Sequence, residues 1–211
     1  MKKVLVRGPA LSQSGYGEHT RFLLRSLRTR DDLFDIYLIN VGWGATGSIW
    51  EESEEREWID FLIKKSFEYS NNGGEFDISL QVGIPGEWEK LAPMNMGVTA
   101  GTETTKISPE WLKRCMDMDK IIVVSEHTRQ SIINTVYPAI NNLNGEKFDA
   151  KVTCPVEVVG YPYKNIKSAK IDLDLKDDFN FLVVGTWIPR KNMENTIKWF
   201  VEEFHDAEVG L

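Results

Sequence analysis

A chain of 211 residues has room for one domain and part of another, and its 42% hydrophobic and 27% charged content is that of an ordinary folded protein. The formal net charge of −7 argues against non-specific affinity for nucleic acid or anionic membranes, leaving only local basic sites. The two cysteines, Cys115 and Cys154, form neither a C-x-x-C pair nor a zinc pattern, and no apolar run approaches the ~20 residues that span a bilayer.

The first apolar run, 4–6, reads as a strand and is too short for the core of a signal peptide. With two isolated cysteines this suggests a reducing, cytoplasmic setting, with peripheral membrane association left open. Similar runs recur at 36–39, 78–82, 96–100, 121–124, 156–159 and 181–184. Most are rich in Val and Ile and several lack polar alternation, the pattern of strands buried on both faces of a parallel sheet. Helical patterns fall between them. Thr20, Leu23, Leu24 and Leu27 share one face, and Arg21, Arg25 and Arg28 form a stripe of the kind that usually faces solvent. Trp58, Phe61 and Leu62 share a face after an acidic stretch, 51–57, which suits a helix start. Ser108-Pro109 predicts another start, and Ser125 caps a helix expected to carry Ile132, Ile133 and Val136. Alternating strand and helix predicts an α/β fold with a Rossmann-like parallel sheet flanked by helices.

Composition changes between Gly160 and Asp178, where lysines and aspartates replace apolar residues. The expected division is a first domain over 1–165, a linker over 166–179, and the start of a second domain over 180–211. That last piece holds one strand and one helix with Met193, Ile197, Phe200, Val201 and Phe204 on a stripe, capped by Asn192. About 30 residues bury too little surface to be a domain. The stripe is therefore expected to pack back on the first domain or against another copy, a route to a homo-oligomer.

Three segments carry candidate chemistry. Ser14-Gly15-Tyr16-Gly17 heads the first helix, where glycine allows close backbone approach and the helix N-terminus favours an anion. The dinucleotide fingerprint needs a third glycine where Thr20 stands, so NAD or FAD is disfavoured. A flexible turn with a cap is the plainer reading. The second segment, 97–111, leaves a strand through a polar loop that puts Glu103 and Thr104 beyond the strand's carboxyl end, where α/β sheets bind ligands. A solvated loop is its plainer alternative. The third, 185–192, follows a strand and opens a helix, with Arg190 and Lys191 beside the free N–H groups, a cradle for a diphosphate or a plain basic loop. His19, His127 and His205 are scattered and read as packing or surface residues, and Asp117-x-Asp119 and Asp172-x-Asp174 as solvated pairs.

Taken in order, 181–200 (FLVVGTWIPRKNMENTIKWF), 103–111 (ETTKISPEW), 119–129 (DKIIVVSEHTR) and 15–21 (GYGEHTR) resemble the family 4 retaining glycosyltransferases. The resemblance implies a GT-B architecture: two Rossmann-like domains, of which this chain holds the N-terminal one and the opening of the C-terminal one. It implies transfer of a sugar from a nucleotide-sugar donor to an acceptor hydroxyl with retention and without a bound metal or other cofactor. By motif, Arg190 and Lys191 would hold the donor diphosphate, with Gly15 and Gly17 facing the same phosphates. Tyr16, Glu103 and Thr104 would line the sugar cleft. Thr186 stands where many members have arginine, and Glu103 where some have histidine. The family's two-glutamate motif would lie beyond position 211, so the 211-residue chain is expected to turn over poorly. The alternatives are a non-catalytic Rossmann-like module that binds a sugar or sugar phosphate, and a dinucleotide oxidoreductase set back by Thr20.

Overall fold

A computed structural model describes residues 1–211 apart from Asn142, Asn144 and Asp172. The chain divides into two compact units, Met1–Tyr163 and Lys164–Leu211.

The first unit is built on a six-stranded sheet. Its strands are β1 (Lys2–Gly8), β2 (Phe34–Asn40), β3 (Ile78–Val82), β4 (Met94–Thr99), β5 (Lys120–Val123) and β8 (Val156–Val158), in the order β2-β1-β3-β4-β5-β8. Every pairing in this sheet is parallel. Helices α1 (Gly15–Arg28), α2 (Glu54–Asn71), α3 (Pro109–Cys115) and α4 (Glu126–Ile133) connect the strands. An antiparallel hairpin, β6 (Tyr137–Ile140) and β7 (Lys147–Ala150), precedes β8.

Strand register sorts the apolar residues onto two faces. Val4 pairs with Ile36 and Ile78, Val6 with Leu38 and Leu80, and Val82 with Val98. These residues form one core cluster with Leu24 of α1 and with Ile59 and Leu62 of α2. The next residues along, such as Gly97, Ile121 and Val123, face the other way. There Ile121, Val123 and Val156 pack with Trp88, Leu112, Cys115 and Ile132 beneath α3 and α4. Each such side chain, fully buried, contributes about 1.5–3 kcal/mol. Gly97 lies directly under Trp88, whose ring atoms stand 2.4 Å from where a β-carbon would be, so the indole seat depends on glycine.

The helix starts follow the serine signals. Ser14, Ser53, Ser108 and Ser125 each accept a hydrogen bond from the backbone N–H three residues on. Helix α2 also protects the sheet edge. The Leu38 N–H of β2 donates to Ser66 Oγ at 2.6 Å, and Lys65 Nζ donates to the Ile36 carbonyl at 3.0 Å. Lys65 also pairs with Asp35, so the exposed edge is occupied rather than left as a template for another chain. At the sheet's other end, Asn95 Oδ1 accepts from Ser79 Oγ and from the Leu91 and Ala92 N–H groups. Asn95 N–H in turn donates to Asp119, fixing the starts of β3, β4 and β5.

Three expectations from periodicity fail here. Phe61 is 58% exposed, because α2 lies along the sheet edge and buries only Ile59, Leu62 and Ser66 fully. Helix α4 stops at Ile133, and Val136 falls, exposed, in the link to the β6–β7 hairpin. Arg21 is buried at 7% exposure.

The second unit is a small parallel βαβ arrangement: β9 (Phe179–Asn180), a single 3-10 turn at Pro189–Lys191, α5 (Met193–Phe204) and β10 (Val209–Gly210). The apolar run 181–184 was expected to be a strand, but the pairing lies two residues earlier. Phe181 donates its N–H to the Gly210 carbonyl, and the run then leaves the ladder with Leu182 and Val184 exposed. Phe181 instead packs its ring against Phe200 and Phe204 of α5. Asn192 does not cap α5 with its side chain. It adopts a left-handed backbone (φ 52°), its Oδ1 accepts from Asn195, and its carbonyl accepts from Thr196.

Candidate functional site

In a doubly wound sheet, ligands bind beyond the carboxyl ends of the strands, where chain order reverses. Here β1 has β2 on one side and β3 on the other, so the reversal lies at β1. The residues that follow β1 lead into α1, and several contacts lock them. Leu11 N–H donates to Asn40 Oδ1 at 3.0 Å, Gln13 N–H to the Gly47 carbonyl at 2.8 Å, and Ser12 Oγ lies 2.6 Å from Thr46 Oγ1. The buried Arg21 explains much of the rest. Its Nη1 donates to the Ala10 and Ser12 carbonyls at 2.6 and 3.0 Å, and its charge meets Glu18 at 2.8 Å. The expected arginine stripe is therefore divided. Arg21 turns inward to brace the loop, while Arg25 links α1 to Glu55 at the start of α2.

The two glycines of this loop differ. At Gly17 a β-carbon would stand 2.0 Å from the Ser12 carbonyl oxygen, so glycine is needed for the close approach of loop and helix. At Gly15 nothing lies within 4 Å of that position, and the residue faces open space. Ser14 Oγ accepts from the Gly17 N–H, and the Glu18 N–H bonds to the Ser14 carbonyl. Among the described residues, the Gly15 and Tyr16 N–H groups have no acceptor. Two free donors at the start of a 14-residue helix make an anion-accepting end.

Tyr16 joins this end to the loop after β4. Its hydroxyl lies 3.0 Å from Thr99 Oγ1 and accepts the Ala100 N–H at 3.1 Å. Its ring packs against Trp43, with centroids 4.4 Å apart. Trp43 sits in the loop after β2, and no spacing or motif in the sequence singled it out. Glu103 and Thr104 follow in the exposed loop beyond Ala100, and Thr104 Oγ1 donates to the Lys106 carbonyl. Thus Gly15, Gly17 and Tyr16 form one constellation, while Glu103 and Thr104 sit further along a loop that Tyr16 anchors. Arg190 and Lys191 belong to the second unit, in its 3-10 turn directly before α5. Both are exposed.

A separate apolar groove of about 550 Å³ runs along α1 over the sheet face, between Phe22 and Leu23 on one side and Val98, Ile122 and Val159 on the other. His19 borders it, buried at 9% exposure and edge-on to the Tyr161 ring. Burial pushes the His19 imidazole below its ordinary pKa, which keeps it neutral at pH 7, and among the described residues its Nδ1 has no hydrogen-bond partner. The expectation of a packing histidine fits this placement, whereas His127 and His205 are exposed.

Among the described residues no three His, Cys, Asp or Glu side chains come together as metal ligands, and no helix is long and apolar enough to cross a membrane. Of the Asp172-x-Asp174 pair, Asp172 lies outside the described residues. Comparison with family models, with curated proteins and with solved structures finds no match to this chain. Fold and geometry define the class: an α/β protein with a parallel six-stranded sheet flanked by helices, the first of which opens at the switch point.

Proposed function

We propose that the chain is the acceptor-side domain of a retaining glycosyltransferase of the family 4, GT-B type, together with the opening of the domain that binds the nucleotide-sugar. The observation that carries this reading is the Tyr16 hydroxyl bonded to Thr99 and Ala100, which places a helix end with two free N–H donors beside the loop of Glu103 and Thr104. A phosphate-sized anion and a hydroxylated ring would then have adjacent seats, as transfer from a nucleotide-sugar requires.

In this reading Gly15 and Tyr16 offer their N–H groups to a donor phosphate, and the bare Gly15 lets it approach. Arg190 and Lys191 bind the diphosphate and stabilise the negative charge that grows on it as the bond to the sugar breaks. Preorganised donors of this kind are typically the largest single contribution to catalysis. Glu103 and Thr104 face the sugar side. The Arg190 guanidinium and Lys191 ammonium neutralise the leaving group in the role a metal ion would otherwise take. The setting is cytoplasmic, and the exposed apolar surface around α5 is a contact for a second copy.

The test is a thermal-shift screen of nucleoside diphosphates and nucleotide-sugars against the wild-type chain and Lys191→Ala. A ligand at ~100 times its Kd stabilises by about 2.7 kcal/mol. The expected result is a rise in melting temperature for a nucleoside diphosphate that Lys191→Ala abolishes. If no such compound shifts the wild-type chain, or if the shift survives in the variant, the reading is wrong. Tight binding of NAD(P) instead would return the oxidoreductase reading.

A further inference from the structure

A second recess, of about 430 Å³, lies beyond the loop that follows β4 and is lined by Thr102, Thr104, Lys106, Ser108, Trp111 and Tyr137. Its volume falls in the range of small-molecule sites, roughly 300–1,000 Å³. The loop that forms it is fastened to α4 and to the hairpin after it. Thr128 Oγ1 donates to the Ala100 carbonyl at 3.1 Å, and Ser131 Oγ to the Thr104 carbonyl at 2.8 Å. The Ile107 N–H donates to Thr135 Oγ1 at 3.1 Å, and the Tyr137 hydroxyl donates to the Ile107 carbonyl at 2.9 Å. Ile107 is buried at 2% exposure, so its neighbours on the loop are held at fixed positions. A binding site whose parts are already in place loses less free energy to ordering when ligand arrives.

The side chains that remain open share one chemistry. Trp111 is half-buried and lines the recess with its indole ring, and Gly86 lies beside the Cδ1–Nε1 edge, where a β-carbon would stand 3.4 and 3.5 Å from those atoms. Among the described residues the Trp111 Nε1 has no acceptor, and Lys106 Nζ has neither an ion pair nor a hydrogen bond. Thr102 adds a hydroxyl. An aromatic face, an N–H donor, a hydroxyl and a free ammonium suit a hydroxylated ring that carries a negative substituent. The ring's C–H face stacks on the indole, its hydroxyls take the polar groups, and the anionic group meets Lys106.

We infer that this recess binds a saccharide bearing an acidic group, a uronate or a sugar phosphate, as the acceptor or its terminal residue. The inference rests on the glycosyltransferase reading for the word acceptor, and not for the binding itself.

The experiment follows the indole N–H signal of Trp111 in two-dimensional NMR, assigned with Trp111→Phe, during titration with glucuronate, glucose 6-phosphate, glucose and inorganic phosphate. The expected result is movement of that signal by glucuronate, glucose 6-phosphate or both, with a Kd of about 1 mM. Whichever of the two moves it tells a carboxylate source from a phosphate one. Lys106→Met changes only an exposed side chain, and should weaken the acidic sugar about fivefold while leaving glucose where it was. The assignment is overturned if neither acidic sugar moves the signal, if glucose binds as tightly as they do, if phosphate alone matches them, or if Lys106→Met binds glucuronate like the wild type. None of these outcomes involves a nucleotide, so the inference and the donor-binding reading fail separately.

Discussion

Replacing Gly17 by alanine tests the central claim about the loop after β1, that it is a rigid seat and not a flexible turn. The new β-carbon would stand 2.0 Å from the Ser12 carbonyl oxygen, 2.9 Å from its carbon and 3.1 Å from the Pro9 carbonyl oxygen. All three are backbone atoms and cannot rotate away. Comfortable contact begins at roughly 3.5 Å, so Ser12 would have to retreat by more than about 1 Å. It is held in place by Arg21 on its carbonyl, by Ser14 and Thr46 on its hydroxyl, and by the Gln13–Gly47 hydrogen bond next to it. Losing three or four such bonds costs about 3–4 kcal/mol at about 1 kcal/mol each. Alanine returns about 1 kcal/mol through its better helix propensity. The net loss is about 2–3 kcal/mol, which for a unit of this size lowers Tm by roughly 4–12 °C. Gly15→Ala is the matched control, because nothing lies within 4 Å of its β-carbon position. It should leave stability unchanged or raise it by up to about 1 kcal/mol. Calorimetry or circular dichroism on the two variants decides the matter. If Gly17→Ala melts with the wild type, or Gly15→Ala falls as far, the loop is not locked as described.

Three further outcomes are expected. His19 is held neutral by burial, so the unfolded chain binds its proton more readily than the folded one; stability should be full above about pH 6.5 and decline below it by at most about 1.4 kcal/mol per pH unit, until the depressed folded pKa is passed. His19→Gln should flatten that part of the profile in urea unfolding measured at a series of pH values. Burial pushes the Cys115 thiol up to about 12 and also raises that of Cys154; both should react slowly with a thiol reagent in the native protein and quickly in denaturant, and fast native labelling of Cys115 would contradict the described core. Ser66→Ala leaves the buried Leu38 N–H without its acceptor, so a loss of about 1–3 kcal/mol is expected, and an unchanged denaturation midpoint would show that α2 does not guard the β2 edge.

The fold class was legible in the sequence because it depends on local features. Runs of Val and Ile mark strands buried on two faces, and Ser14, Ser108 and Ser125 announce helix starts through hydrogen bonds to N–H groups only three residues away. Glycine in the first loop was legible too, but not the unequal need for it: Gly17 is fixed by the close approach of the Ser12 carbonyl, which no periodicity registers. Position in the assembled sheet decided the rest. Arg21 looked like one of three solvent-facing arginines and became the brace of the loop because the Ala10 and Ser12 carbonyls turn toward it. Phe61 followed the helical stripe and stayed exposed because α2 lies along an edge. The run 181–184 had strand composition, yet pairing between β9 and β10 stops at Asn180, with only Phe181 N–H reaching Gly210 beyond it. Trp43 reaches Tyr16, and Tyr137 joins Trp111 in one recess, only through folding. Local hydrogen bonds and burial patterns are written along the chain, whereas the meeting of residues tens of positions apart depends on how the strands are ordered and which loops they bring together.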